Sequence, residues 1–202
     1  RVLALSSDTA PGAVNVYGAS KFCRETLLIP AYSSRGPTRR TAFSCTRYGN
    51  VIGSRGSVVP LFREQAKAGR VTLTHPDMTR FWLTLEQGVK FVLDCLERMR
   101  GGEVFVPKVP SMRVADVARA LAPGAEVEVV GVRPGEKLHE AMVAPGERAV
   151  DIGPCYVILP SYASWQAEPL DGEPMPSGWS YTSDSNDRWL TAEEFLALAG
   201  SP

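Results

Sequence analysis

Short apolar runs alternate with amphipathic stretches along most of this chain of 202 residues. Such alternation is typical of α/β domains, in which helices connect the strands of a largely parallel sheet. The apolar runs predict strands at 2–6, 41–47, 71–74, 103–107, 127–130 and 157–159. The amphipathic stretches predict helices at 16–28, 58–68, 84–99, 114–121 and 137–142. The sequence therefore predicts an α/β fold.

Capping residues indicate where several of these helices begin or end. Asn15 is a suitable N-cap for the first helix, and Gly69 is a typical stop after the second. Thr191 and Glu194 have the spacing of a capping box, which predicts a last short helix near the C-terminus.

We predict three consecutive divisions of the chain, at 1–70, 71–159 and 160–202, and the composition changes at the start of the last one. The last division opens with an irregular stretch, 160–185, that is rich in Pro, Ser, Gly, Trp and Tyr. We expect this stretch to lie on the surface of the fold, because Trp165, Trp179 and Tyr181 favour burial.

Charge and composition argue against several classes of partner. The 22 basic and 22 acidic residues give a net charge of zero, which offers no electrostatic basis for binding nucleic acid or an anionic membrane. No apolar run approaches the roughly 20 residues that a membrane span needs. The four cysteines form no Cys-x-x-Cys pair, and His75 and His139 have no ligand at metal-binding spacing. We therefore expect neither a metal site nor disulfides, and a reducing cytoplasm fits best.

The strongest chemical pattern is Ser6-Ser7-Asp8 followed by Tyr17 and Lys21. Tyr17 and Lys21 are four residues apart on one predicted helix, so both side chains project from the same face. A lysine ammonium stabilises a phenolate, and the N-terminus of the helix adds to the effect. The strand that ends at Ser6-Ser7-Asp8 brings hydroxyls and a carboxylate to the C-terminal edge of the sheet, where α/β folds bind ligands.

A second pattern suits a phosphate-bearing ligand. The Gly-rich stretch 50–57 leads into the predicted helix at 58, and a helix N-terminus presents free backbone N–H groups to anions. Arg55, Arg80 and Arg133 each carry a guanidinium that can form two hydrogen bonds with a phosphate.

These motifs resemble the extended short-chain dehydrogenase/reductase superfamily and, within it, the inverting UDP-N-acetylglucosamine 4,6-dehydratases. The resemblance extends over nearly the whole chain. It is carried by Ser6-Ser7-Asp8 and by five further blocks in family order, at 15–21 (Asn-Val-Tyr-Gly-Ala-Ser-Lys), 47–60, 78–82 (Met-Thr-Arg-Phe-Trp), 101–108 and 133–140 (Arg-Pro-Gly-Glu-Lys-Leu-His-Glu), with Trp179-Ser180-Tyr181 closing the series.

The resemblance implies the latter part of a Rossmann-like doubly wound parallel sheet, with a smaller α/β substrate-binding lobe. It also implies a nicotinamide cofactor (NADP or NAD), a UDP-sugar substrate and a homo-oligomer. The implied setting is bacterial polysaccharide biosynthesis, such as the pseudaminic acid route.

The resemblance further implies a role for each matching residue. Tyr17 is the base that removes the O4 proton, with Lys21 as its electrostatic partner and ribose contact. Ser7 donates a hydrogen bond to O4, and Asp8 protonates the departing hydroxyl. Ser6, with Tyr17 and Lys21, faces the cofactor. The residues that bind the UDP portion are Asn50, Arg55, Val59, Arg80, Arg133 and Glu136, with Arg133 at the diphosphate and Glu136 at the ribose.

Two features depart from the family pattern. Thr9 stands where the family has a lysine that transfers a proton at C5, which calls elimination or inversion at C5 into question but leaves oxidation at C4. The Gly-x-Gly-x-x-Gly fingerprint of dinucleotide binding is absent. Since the sequence opens at Arg1 within an apolar run, we interpret it as a fragment that does not turn over substrate alone.

Two alternatives to an inverting dehydratase remain open from the sequence. Another nucleotide-sugar reaction, such as retaining dehydration or 4-epimerisation, is favoured by Thr9. A non-catalytic subunit that binds a nucleotide sugar is favoured by Thr9 together with the absent fingerprint.

Overall fold

The computed structural model describes residues 1–33, 40–160 and 170–200. The helices in these ranges are α1 (Val16–Ser33), α2 (Val58–Lys67), α3 (Leu85–Arg98), α4 (Val114–Leu121) and α5 (Ala192–Ala199). The strands are β1 (Val2–Leu5), β2 (Phe43–Thr46), β3 (Asn50–Val51), β4 (Arg70–Leu73), β5 (Thr79–Leu83), β6 (Val104–Pro107), β7 (Ser111–Arg113), β8 (Glu126–Val129), β9 (Ala141–Val143), β10 (Ala149–Asp151), β11 (Cys155–Ile158), β12 (Glu173–Pro174) and β13 (Tyr181–Thr182).

The chain divides into two compact units, each assembled from three separate stretches. The first unit comprises Arg1–Tyr48, Val89–Lys108 and Ala141–Tyr181. The second comprises Gly49–Gly88, Val109–Glu140 and Thr182–Pro202. This division differs from the three consecutive segments predicted with boundaries at 70 and 159, because the chain passes back and forth between the units. Among the described residues, no helix is both long and apolar enough to cross a bilayer.

The first unit is built on a six-stranded sheet of order β1-β2-β6-β11-β10-β12. The strands β1, β2 and β6 are parallel, whereas β11, β10 and β12 each pair antiparallel to their neighbour. The core of this unit contains the fully buried Phe105 and Val157 together with Cys95 and Met99. The prediction of an α/β fold with parallel strands is confirmed, and the antiparallel strands make the sheet a mixed one.

The second unit contains the sheet β3-β5-β7 and the parallel pair β4-β8. Its core centres on Trp82 of β5 and Phe195 of α5, whose rings meet edge to face with centroids 5.2 Å apart. α5 begins with the capping box predicted from Thr191 and Glu194, since both reciprocal hydrogen bonds form. The C-terminal helix therefore has a defined start and is anchored to the core through Phe195.

The helix predicted at 137–142 is wrong. Arg80 donates hydrogen bonds to the carbonyl oxygens of Lys137 and Leu138, and the backbone N–H of Thr79 donates to Leu138 as well. These carbonyls are therefore bonded to β5 rather than to N–H groups four residues later, and the chain continues as strand β9.

Two other expectations need correction. α1 extends past residue 28 to Ser33 and contains Pro30, which has no backbone N–H to donate within the helix. The stretch predicted to be irregular contains the two short strands β12 and β13. Tyr181 is buried, and Trp179 is half-buried. Trp165 lies outside the described residues.

Three of the four cysteines are buried, and one is exposed. Cys45, Cys95 and Cys155 are buried, and burial raises the pKa of Cys45 and of Cys155 to about 12. These thiols stay protonated at neutral pH and pack as small apolar groups. Cys23 is exposed on α1.

Candidate functional site

The first group of candidate residues lies where β1 ends in the first unit. The backbone N–H of Ser6 donates to Thr46 at 2.7 Å, which extends the β1–β2 pairing by one residue. The Ser7 and Thr9 hydroxyl oxygens lie 2.6 Å apart, and the Thr9 N–H donates to Ser7 Oγ. Ser6 and Asp8 are buried, whereas Ser7 is half-buried. The hydroxyl of Ser7 is therefore held in place by Thr9.

The first turn of α1 packs directly against this loop. Asn15 Oδ1 accepts a hydrogen bond from Gly18 N at 2.8 Å, so the predicted N-cap is confirmed. A Cβ atom at Gly18 would lie 2.5 Å from the carbonyl oxygen of Thr9. Only glycine allows so close an approach, and it brings the start of α1 against the loop that carries Ser7 and Asp8.

Tyr17 and Lys21 project from this first part of α1. Lys21 Nζ lies 5.1 Å from the centroid of the Tyr17 ring, within the range of a cation–π contact. The Tyr17 side chain is 60% exposed, which leaves its hydroxyl accessible to a ligand. The structure thus brings Ser7, Asp8, Tyr17 and Lys21 to one end of the first unit, as the sequence predicted.

Tyr48 belongs to the same region but was not singled out from the sequence. Its carbonyl oxygen accepts a hydrogen bond from the N–H of Asp8 at 3.3 Å. Burial raises the pKa of Tyr48 above its ordinary value, and the charge of a Tyr17 phenolate raises it further. Both effects favour the protonated form of the Tyr48 phenol. Its position within the Arg47–Pro60 block was the signal that could have identified it.

The second group of candidate residues lines a cavity of about 240 Å³ in the second unit. The lining includes four of the six residues predicted for the UDP portion, Asn50, Arg80, Arg133 and Glu136. The apolar part of the wall had not been predicted; it consists of Val58, Leu61, Phe62, Leu73, Met78, Trp82, Val114 and Val130. An apolar cavity with a few converging polar groups is the usual form of a small-molecule site.

Arg80 lines the cavity, but most of its N–H donors form hydrogen bonds within the protein. Its guanidinium donates to the carbonyl oxygens of Thr79, Leu138 and Lys137 at 2.7, 3.1 and 2.9 Å. Its Nε also lies 3.8 Å from the buried carboxylate of Glu140. Arg80 therefore fixes the segment 137–140 to β5, and has few donors left for a ligand.

Glu140 is a buried carboxylate next to Arg80. Burial raises its pKa, while the nearby charges of Arg80 and Lys137 act in the opposite direction. Lys137 Nζ lies 3.6 Å from Glu140 Oε2. The three side chains form one charged cluster that rigidifies the end of the 133–140 block.

Arg133 and Glu136 are presented by a turn at the start of that block. The Glu136 carboxylate accepts a hydrogen bond from the Arg133 N–H at 3.2 Å, and the Glu136 N–H donates to the Arg133 carbonyl oxygen at 3.0 Å. Gly135 has a φ of +83°, a left-handed conformation that favours glycine at this position. The turn directs one cationic and one anionic side chain to the cavity.

Two predicted ligand residues do not line the cavity. Arg55 is exposed on the loop between Gly53 and Gly56. The Val59 side chain is buried in the core of the second unit, so only its backbone N–H, in the first turn of α2, is suited to a ligand. The neighbouring N-cap, Ser57, makes no side-chain capping bond, and its buried Oγ has no hydrogen-bond partner among the described residues. The sequence located this helix N-terminus, and the ligand roles of Arg55 and Val59 stay predictions.

Comparison with known proteins identifies the family. The sequence profile of the family described as "Polysaccharide biosynthesis protein" matches residues 1–157. The chain belongs to this family. The resemblance drawn from the motifs is thereby confirmed.

Individual relatives of this polysaccharide biosynthesis family member support the same assignment. It is 42% identical over 210 residues to the inverting UDP-N-acetylglucosamine 4,6-dehydratase of Campylobacter jejuni, which covers 98% of this chain and 63% of the relative. It is 41% identical over 165 residues to a UDP-glucose 4-epimerase of Rickettsia canadensis, covering 78% of this chain and 48% of the relative. The chain thus spans less than two thirds of the length of these relatives.

Two solved structures show the same fold. The X-ray structure of Pen from Bacillus thuringiensis superposes with a TM-score of 0.84 at 30% identity, over 97% of this chain and 61% of that one. The dTDP-glucose 4,6-dehydratase DesIV from Streptomyces venezuelae superposes with a TM-score of 0.59 at 20% identity, over 68% and 49%. The family member described here therefore has a Rossmann-like α/β fold.

Proposed function

We propose that this chain carries the catalytic residues and the UDP-binding cavity of an inverting UDP-N-acetylglucosamine 4,6-dehydratase. The observation that carries the proposal is the arrangement at the start of α1. There, Tyr17 and Lys21 lie one helical turn apart, packed against the loop of Ser7 and Asp8. The 42% identity to the Campylobacter jejuni enzyme of that name supports the substrate.

Each side chain of the first unit has a task suited to its surroundings. Tyr17 removes the proton from O4 of the sugar, since its hydroxyl is accessible and the Lys21 ammonium stabilises the phenolate. Ser7, held by Thr9, orients O4 through a hydrogen bond. Asp8, which is buried, gives a proton to the hydroxyl that leaves C6 and so acts as a general acid.

A nicotinamide, NADP or NAD, would accept hydride from C4 and later return it at C6. The residues present fit one side of such a cofactor. Ser6 and Thr46 lie at the C-terminal ends of parallel strands β1 and β2, and their buried hydroxyl oxygens have no hydrogen-bond partner within the described parts of the chain. Ser6, Tyr17 and Lys21 would contact the nicotinamide and its ribose. We further propose that the chain alone does not turn over substrate, because it lacks the dinucleotide fingerprint.

The cavity of the second unit would bind the UDP portion. Arg133 offers a guanidinium to the diphosphate, and the N-terminus of α2 offers the Val59 N–H and the Ser57 hydroxyl. Glu136 and Asn50 offer hydrogen-bond acceptors and donors to the ribose and the base. We also propose a homo-oligomeric, cytoplasmic enzyme of polysaccharide biosynthesis, with the pseudaminic acid route as its setting.

A second candidate is nucleotide-sugar chemistry that stops at C4, such as 4-epimerisation. Thr9 favours it, because the family pattern has a lysine there for proton transfer at C5, and the Thr9 hydroxyl is engaged with Ser7. The 41% identity to a UDP-glucose 4-epimerase points the same way. A non-catalytic subunit that binds a UDP-sugar is the third possibility that the test below separates.

Product analysis on the full-length protein tests the proposal. The protein is incubated with UDP-N-acetylglucosamine and NADP in deuterated water and followed by NMR. A 4-keto-6-deoxy sugar with deuterium at C5 and inverted C5 configuration is the expected result. Retained configuration at C5 would indicate the retaining reaction, and a C4 epimer would indicate the second candidate. Bound UDP-sugar with no new product would leave the binding subunit as the function.

A further inference from the structure

A buried arginine in the first unit is bonded to the helix that carries Tyr17 and Lys21. Arg47 follows β2 directly, and its side chain is 3% exposed. It donates to Glu25 of α1 through Nε at 2.9 Å and Nη2 at 2.6 Å. It also donates to both oxygens of Glu147 at 2.7 Å, and to the carbonyl oxygen of Met142 at 2.9 Å. All five N–H donors of the guanidinium are therefore used.

Burying such a charged cluster costs desolvation free energy. Burial removes three charges from water, and an apolar group of similar size often stabilises a protein equally well or better. Burial alone would lower the pKa of Arg47, but hydrogen bonds with Glu25 and Glu147 raise it above its ordinary value. The guanidinium therefore stays charged at any physiological pH, and the fork geometry of its bonds is permanent.

Glu25 shares a face of α1 with Tyr17 and Lys21, since the three residues are spaced four apart. Glu25 is buried, whereas Tyr17 is exposed. At 1.5 Å per residue, Glu25 lies about 12 Å along the helix axis from Tyr17. Two parallel hydrogen bonds to Arg47 fix both the height and the rotation of α1 at Glu25, and a helix transmits both rigidly.

We propose that Arg47 is a positioning residue, which through its two bonds to Glu25 sets the rotation of α1 and so places Tyr17 and Lys21 for the reaction. This inference rests on the proposed function. Glu147 completes the coordination of Arg47 and accepts a hydrogen bond from the Ala144 N–H, so it holds the segment after β9.

A small rotation of α1 is enough to matter. The side chains of a helix reach about 6 Å from its axis, so a rotation of about 10° displaces the Tyr17 hydroxyl by about 1 Å. A displacement of about 1 Å at a reacting group can lower the rate about 100-fold.

The two carboxylates that bind Arg47 provide a matched pair of variants. Glu25→Gln and Glu147→Gln, made in the full-length protein, each replace one carboxylate partner of the same guanidinium by an amide. We expect Glu25→Gln to lower kcat about 10- to 100-fold per UDP-binding site, with the KM for the UDP-sugar changed less than about twofold. We expect Glu147→Gln to leave kcat per UDP-binding site within about twofold of the wild type. Counting active sites by UDP binding removes the effect of any unfolded fraction.

Two further measurements separate positioning from a purely structural role. The acid limb of the pH–rate profile should stay in place in Glu25→Gln, because Tyr17 and Lys21 move together on one helix. The ¹⁹F resonance of 3-fluorotyrosine at position 17 should shift in Glu25→Gln but not in Glu147→Gln or in the exposed control Glu64→Gln. This readout requires no turnover. Should Glu25→Gln not fold, Arg47→Lys, which keeps the charge but loses the fork, replaces it.

The inference is overturned if Glu25→Gln and Glu147→Gln have equal kcat per binding site and equal ¹⁹F spectra. Absence of turnover in the wild type would instead contradict the proposed function, and the ¹⁹F comparison would still decide the positioning role.

Discussion

Replacing Arg80 by methionine should weaken the second unit first and UDP binding only as a consequence. Arg80→Met removes three hydrogen bonds from a charged donor to the carbonyl oxygens of Thr79, Leu138 and Lys137. It also leaves the buried Glu140 with Lys137 as its remaining cationic neighbour in the cluster. Hydrogen bonds from charged groups are worth about 1.5–3 kcal/mol each, but water that enters the half-buried site restores part of this.

We therefore expect the free energy of unfolding to fall by about 3–5 kcal/mol, the usual cost of breaking a buried ion pair. Urea unfolding of the full-length protein measures this change. Arg119→Met removes an exposed guanidinium from α4 of the same unit and should cost less than about 1 kcal/mol. Arg80→Lys should recover little of the loss, because an ammonium cannot bridge the carbonyls on both sides.

The effect on UDP binding follows from the loosened 133–140 block, which carries Arg133 and Glu136. We expect the Kd for UDP, measured by calorimetry, to rise about 10-fold in Arg80→Met, a loss of about 1.4 kcal/mol. The reasoning is refuted if the free energy of unfolding changes by less than about 1 kcal/mol while UDP affinity falls 100-fold or more. That outcome would make Arg80 a direct phosphate ligand, as the sequence resemblance implied.

Three further changes should produce distinct results. Gly18→Ala places a Cβ 2.5 Å from the Thr9 carbonyl oxygen, so it should displace α1 from the Ser7 loop. We expect turnover to fall at least about 10-fold, with UDP affinity retained. Unchanged turnover would contradict the close approach. Glu140→Gln removes a carboxyl whose pKa is raised by burial. The folded protein retains this proton to higher pH than the unfolded chain, so the free energy of unfolding decreases as the pH rises above 4.5. In urea titrations above pH 4.5, the free energy of unfolding of the variant should depend less on pH than that of the wild type. Thr191→Ala should lower the free energy of unfolding by about 1 kcal/mol through loss of the α5 capping box, and a change near zero would show that the cap is dispensable.

Local sequence signals predicted most of the regular structure. Both ends of α4, Val114 and Leu121, were predicted correctly. Its apolar residues keep the spacing of a helix face without interruption between these two positions. Asn15 and Thr191 identified helix starts because their side chains bond backbone groups only two or three residues away. Such signals need no knowledge of the tertiary fold.

Features that depend on distant partners were not predicted. The false helix at 137–142 has a helix-like sequence, but Arg80, 57 residues before Lys137, competes for its carbonyl oxygens. The Arg47–Glu25–Glu147 cluster joins residues 22 and 100 positions apart, and nothing local indicates that these charges are buried. Strands of two or three residues, such as β3 and β12, are likewise defined by their neighbours rather than by their own composition.

The candidate site was predicted better by motif than by side-chain direction. Tyr17, Lys21, Ser7 and Asp8 lie together because the Tyr-x-x-x-Lys spacing and the strand end are both local patterns. Neither Arg55 nor Val59 lines the cavity, and their ligand roles stay predictions, since sequence does not reveal which way a side chain leaves a loop or the first turn of a helix. The apolar wall of the cavity was not predicted; Trp82, for example, both lines the cavity and belongs to the core of the second unit.

We propose that Tyr17 is the base of the reaction and that the cavity of the second unit binds UDP. The most direct test compares the full-length wild type with Tyr17→Phe, measuring both turnover of UDP-N-acetylglucosamine and the Kd for UDP. The account predicts that turnover falls at least about 100-fold, as loss of general-base catalysis requires, with the Kd for UDP changed less than about twofold. Turnover in Tyr17→Phe at the wild-type rate, or an equal loss of UDP affinity, would contradict it.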